Sequence, residues 1–171
     1  VSYQWLRDGA EVPGATGASY LLGQPDVGAM LSVVLRYSDL GGTAETVTSA
    51  PTPAVANVDD PAEGRPVILG EMEQGAVLSL DVTGVMDADG IVAGSGAVQW
   101  LRDGAPIAGA TGMQLVLGQA DVGAVITAVY SYVDGFGAAS AATSLAGEPV
   151  QNVNDAPDGS VLVTGQAQEG A

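Results

Sequence analysis

The chain carries one fifteen-letter phrase twice, as YQWLRDGAEVPGATG at Tyr3–Gly17 and as VQWLRDGAPIAGATG at Val98–Gly112. Asp-Gly is a strong short-range signal for a tight hairpin turn. QWLRDG therefore reads as a strand running into such a turn, with Trp100 (Trp5 in the first copy) as the core plug and Arg102 turned out to solvent. Outward from the phrase the copy continues. Leu22–Ala29, LGQPDVGA, returns at Leu117–Ala124 as LGQADVGA, and Tyr37 and Asp39 return as Tyr132 and Asp134. Sliding the chain by 95 residues pairs 1–76 with 96–171, and 33 of the 76 pairs are identical without a gap. A phrase recurring at that period marks one small domain, written more than once.

The cuts between units fall where turn residues cluster. NVDDPAEG (57–64) and NVNDAPDG (152–159) are built from Asn, Asp, Pro and Gly, the composition of a linker. Boundaries there predict the latter part of one unit at 1–58, a complete unit at 59–152 and the start of another at 153–171. On this reading the chain is a window onto a longer repetitive polypeptide.

Composition narrows the chemistry. Twenty acidic residues face four arginines and no lysine, for a formal net charge of −16. Phosphate binding needs basic side chains, so nucleic acid is excluded as a partner, and anionic membrane surfaces are disfavoured in the same way. Hydrophobic residues make up 47% of the chain, too many for a disordered acidic tail. No apolar run reaches the roughly 18–20 residues of a membrane span, and no membrane insertion is expected. Cysteine, histidine and lysine are all missing. Disulfides, thiolate or imidazole ligands, the commonest general base and Schiff-base chemistry go with them. The remaining carboxylates sit mainly in turn-like segments, which points away from an enzyme.

Helical periodicity is missing, and short alternating runs bounded by Gly, Asp and Pro predict strands throughout. In the complete unit they fall at 67–69, 76–82 (with Leu78, Leu80 and Val82 on one face), 98–102, 106–107, 114–117, 125–132 and 138–144. This spacing predicts an all-β sandwich.

At this point the residues resemble an immunoglobulin-type fold. Trp100 matches that family's core tryptophan, and Leu117-x-x-x-Asp121-x-Gly123 resembles the turn before its sixth strand. The resemblance places the family's corner tyrosine at Val125 and its two cysteines at Val82 and Thr127, so ordinary packing replaces the disulfide. A closer resemblance is to the tandem Ig-like and cadherin-like repeats of large bacterial surface adhesins exported by type I secretion, the RTX type. The QWLRDG…GATG…QADVG body and the NVNDAP junction carry it. It implies tandem immunoglobulin-like sandwiches of about 95 residues, secreted to the cell surface or the extracellular space, whose partners are neighbouring repeats of the same chain.

In such a sandwich three acidic segments meet at the pole where the chain enters the complete unit. They are the linker with Asn57, Asp59 and Asp60, the VMDADG loop with Asp87 and Asp89, and the YVDGFG loop with Asp134. Carboxylates gathered this densely repel one another unless protonated or bridged, and all-oxygen donors suit Ca²⁺. The plainer reading of the same letters is solvated turn residues. Asn152, Asn154 and Asp155 would begin the equivalent site at the next junction, with Glu71, Glu73 and Asp121 near that far pole. The function expected is a non-catalytic extender repeat of an adhesin or biofilm-matrix protein, its junctions rigidified by calcium. The alternative is a subunit or segment of an extracellular filament assembled by strand complementation between repeats, with other copies in a filament or matrix as partners.

Overall fold

The computed structural model describes residues 1–165 and 167–169. The protein is all-β. Its strands are β1 (Ser2–Arg7), β2 (Ala10–Glu11), β3 (Leu31–Ser38), β4 (Ala44–Thr48), β5 (Val67–Leu69), β6 (Val77–Asp81), β7 (Ala97–Arg102), β8 (Ala105–Pro106), β9 (Gln114–Val116), β10 (Ile126–Val133) and β11 (Ala139–Thr143). One-turn 3-10 helices stand at Gln24–Asp26 and Gln119–Asp121. The strands form three sheets, ordered β2-β1-β3-β4, β11-β10-β7-β8 and β5-β6-β9, and the named strands pair antiparallel. The bounds of β1 to β4 return 95 residues later as those of β7, β8, β10 and β11, and the two 3-10 turns obey the same offset.

The repeated phrase forms a strand and a tight turn. Arg102 pairs with Ala105 across a two-residue loop. Asp103 and Gly104 both take positive φ, 47° and 80°, the backbone of the turn that matches strand twist. Pairing resumes directly after Gly104, which is why β8 begins one residue before the expected 106–107.

Alternation explains the core. Leu78 and Leu80 of β6 and Leu115 of β9 face Val98 and Trp100 of β7 and Ile126 and Ala128 of β10. The two sheets of residues 67–143 thus close on one apolar layer, a sandwich-like arrangement, with Val82 packed at its edge. Trp100 is fully buried, and its indole Nε1 donates to the Gly112 carbonyl at 2.9 Å, so the ring is buried without an unmet donor.

Arg102 corrects an expectation. It does not turn out to solvent: its Nε and Nη2 lie 2.7 and 2.5 Å from Oδ1 of the buried Asp121. Side chains two apart on a strand share a face, so Arg102 follows Trp100 inward and needs an acid there. Arg7 and Asp26 form the same pair in the first copy, at 2.7 and 2.6 Å.

The sheet β2-β1-β3-β4 is less covered. Leu22 is 51% exposed, whereas Leu117, its counterpart 95 residues on, is 1% exposed. An open groove of about 480 Å³ runs past Trp5, Tyr20, Leu22, Leu31 and Val55. No helix among the described residues is long and apolar enough to cross a membrane.

Candidate metal centre

Three loops build the centre. The first is the linker carrying Asn57, Asp59 and Asp60. The second lies between β6 and β7 and carries Asp87 and Asp89. The third is the turn from β10 to β11, carrying Asp134. The loops are stitched by backbone. Ile91 bridges Asp134, and the Gly135 N–H donates to the carbonyls of Asp89 and Gly90 at 3.1 and 3.2 Å. A Cβ on Gly135 would run into the Asp89 carbonyl oxygen, so glycine permits this close approach.

Carboxylate oxygens of Asp59, Asp89 and Asp134 lie within 4.8 Å of one another. Asp89 and Asp134 are buried, and Asp59 is exposed. This trio can hold a metal ion. None of the ion pairs among the described residues reaches it, since these join Arg7 to Asp26, Arg36 to Glu11 and Arg102 to Asp121.

Each acid is held differently. Asp89 Oδ2 accepts the Asp60 N–H at 3.0 Å, and its Oδ1 accepts Gln24 Nε2 at 2.7 Å. The Asp60 N–H first of all, helped against burial by the Asn57 and Gln24 amides, keeps the Asp89 carboxyl below the usual range. Asp134 Oδ1 accepts the N–H groups of Phe136 and Ala138, both at 2.8 Å, which fixes the turn. Among the described residues Asp134 Oδ2 is buried with no hydrogen-bond partner, and so is Asn57 Oδ1. Loss of water around the carboxyl group raises Asp59 although the residue as a whole is exposed, and Asp134, Asp89 and Asp87 push it further the same way. In a cluster with no cation, a proton on Asp59 relieves the repulsion.

The expected residues divide accordingly. Asp59, Asp89 and Asp134 converge, with Asn57 beside them. Asp60 enters through its backbone N–H. Asp87 is committed elsewhere: Oδ1 accepts the Asp89 N–H at 2.9 Å, and Oδ2 accepts the Tyr132 hydroxyl at 2.8 Å. Burial, then Asp87, pushes the Tyr132 hydroxyl up to about 12. Asn152, Asn154 and Asp155 are exposed, and Asp155 belongs to no cluster of three acidic residues among the described residues; it accepts Gln74 Nε2 at 3.0 Å. Asp121 is taken by Arg102, and Glu71 and Glu73 are exposed. Gln24 is the residue that sequence reading missed. Its signal was the LGQ triplet recurring as Leu117-Gly118-Gln119. No protein-family model matches the sequence, and no curated protein does.

Proposed function

We propose that the chain is a non-catalytic extender segment made of immunoglobulin-like sandwich repeats, of the kind resembling those of secreted bacterial adhesins and biofilm-matrix proteins, with Ca²⁺ at the junction between units. The observation that carries the reading is Asp134 Oδ2. A fully buried carboxylate oxygen without a donor is costly, and here it faces two further carboxylates across a linker. A hard cation resolves both problems at once. With no histidine or cysteine in the chain, the available donors are oxygens, and Ca²⁺ accepts about six to eight of them in irregular arrangements. Asp59, Asp89, Asp134 and the Asn57 side-chain oxygen would supply protein ligands, and the ion would tie the linker to two loops of the following unit. Partners are then neighbouring repeats, and the location is extracellular or on the cell surface.

Calorimetry with and without calcium tests the reading. A ligand bound only by the folded state stabilises it by about 2.7 kcal/mol at a hundredfold excess over Kd, so calcium should raise the melting temperature and EDTA should return it. Superimposable melts would sink the reading.

One observation favours a second reading, a filament segment built by strand complementation. The groove beside Trp5 and Leu22 lies on a sheet face whose counterpart is covered by β5-β6-β9, and Val161, Leu162 and Val163 are exposed. Deleting 159–171 should then abolish concentration-dependent light scattering, and scattering that survives the deletion removes this reading.

A further inference from the structure

We infer that Gln24 is a positioning residue through which the unit before the linker sets the geometry of the cation centre, so that occupancy of the centre and the relative orientation of the two units are coupled. The inference rests on the cation reading above.

Gln24 lies 65 residues from Asp89 in sequence, and its Nε2 donates to Asp89 Oδ1 at 2.7 Å. The bond spans the linker. Asp89 is thereby gripped from two sides, with Oδ1 held by the earlier unit and Oδ2 by the Asp60 N–H of the linker itself. Free lone pairs remain on both oxygens, because a carboxylate accepts about four bonds. A ligand carboxylate held in one rotamer by outer partners binds metal more tightly than a free one.

The grip is only as good as the turn that presents Gln24, and that turn is pinned. Asp26, two residues on, is 1% exposed. Its Oδ1 accepts Arg7 Nε at 2.7 Å, and its Oδ2 accepts the Gly23 N–H at 2.9 Å and the Tyr20 hydroxyl at 3.1 Å. The Arg7–Asp26 pair therefore fixes the 3-10 turn to β1, and the turn aims the Gln24 amide over the junction. A neutral amide suits the task. It donates to a carboxylate without adding charge for the ion to compete with, as a lysine would, or repelling the cluster, as a glutamate would. Binding linkage is reciprocal: whatever factor the Gln24 contact adds to cation affinity, the cation adds to the unit-to-unit contact.

The molecule supplies its own control. Gln119 occupies the same turn 95 residues on, pinned by Arg102 and Asp121, and is exposed. Its amide makes no side-chain hydrogen bond among the described residues. In the full chain, Gln24→Ala and Gln119→Ala are compared with the parent by calcium titration calorimetry. The chain has no cysteine, so spin labels on Thr46→Cys and Ala141→Cys, both exposed, report the distance between units. Gln24→Ala is expected to weaken calcium binding roughly tenfold, the low end for loss of an outer-shell partner, and to broaden the distance distribution at saturating calcium. Its melt in EDTA should match that of Gln119→Ala, which keeps parental affinity and parental distance width. A Gln24→Ala chain with unchanged affinity and width overturns the inference, as does an equal loss in both variants. A parent that binds no calcium sinks the cation reading itself and is told apart by that result alone.

Discussion

Trp100 and Trp5 are the same residue of the same phrase in two surroundings, which makes them a measure of burial at the residue scale. Trp100 is fully buried, whereas Trp5 is half-buried and stacks on Tyr20 at 5.7 Å between ring centroids. Truncation of a buried Trp costs about 3–5 kcal/mol. Trp100→Ala should lose that much in chemical denaturation, and Trp5→Ala distinctly less; equal losses would refute the core assignment. The arginine pairs add a pH dependence. Burial pushes the Asp26 carboxyl up, but the Gly23 N–H, Arg7 and Tyr20 outweigh it and hold it below the usual range. The folded state therefore takes up this proton less readily than the unfolded chain. The resulting stability is complete above the ordinary Asp value of about 4 and is lost as pH falls through the folded value. Acid titration of parent and Asp26→Asn, followed by circular dichroism, should show a steeper acid loss in the parent, and parallel curves would contradict the pairing. Removing the partner from Asp121 is harsher. Arg102→Ala should cost about 3 kcal/mol, the low end for breaking a buried pair, because the arginine side chain is 34% exposed.

At the scale of elements, strands and acidic loops differ in how much they betray. Leu78 and Leu80 alternate with Ser79 and Asp81, so β6 was readable within one residue at each end, and β5 at 67–69 was readable outright. The Asp-Gly turn announced the β7–β8 hairpin for the same local reason. What could not be read was pairing over distance. That Arg102 needs Asp121, nineteen positions on, depends on the 3-10 turn folding back over β7, although two of the four arginines recurring in the same phrase was a hint. Among the loops, DADG marked an acidic turn but not that Tyr132 claims Asp87 and leaves Asp89 to face Asp134. The turn from β10 to β11 offers the sharpest test. Asp134→Asn keeps the acceptor that Phe136 and Ala138 need and replaces the unpartnered oxygen with a donor beside the carboxylates of Asp59 and Asp89. In EDTA this variant should melt above the parent, by about 1 kcal/mol of stability for a newly satisfied buried group. In calcium the order should reverse, because the parent gains and the variant does not. A variant that is less stable under both conditions would remove the repulsion on which the centre is argued.

For the whole molecule, a formal charge of −16 over 171 residues is a general destabilising field, and it must be separated from the local one. Self-repulsion among surface carboxylates opposes compaction, and any salt relieves it, since exposed charges further apart than about 8 Å are screened near physiological ionic strength. The Asp59–Asp89–Asp134 centre is a different case. Its carboxylate oxygens lie within 4.8 Å, inside that screening length, and two of the three acids are buried, so a diffuse ion atmosphere cannot neutralise it. Two responses to salt should follow. Sodium chloride should raise the melting temperature gradually and without saturation, equally in parent and Asp134→Asn. Calcium at matched ionic strength should add a saturable increment in the parent alone. The increment should extend to shape: scattering profiles of the parent should stiffen with calcium, because an ion bound by Asp59, Asp89 and Asp134 would join the linker to the two loops. Gln24 and Asp60 hold Asp89 already, so the expected change is a narrowing of an existing arrangement rather than a large rearrangement. If sodium at matched ionic strength reproduces both the thermal increment and the stiffening, the acidic residues act as a charge density alone, and the junction has no site.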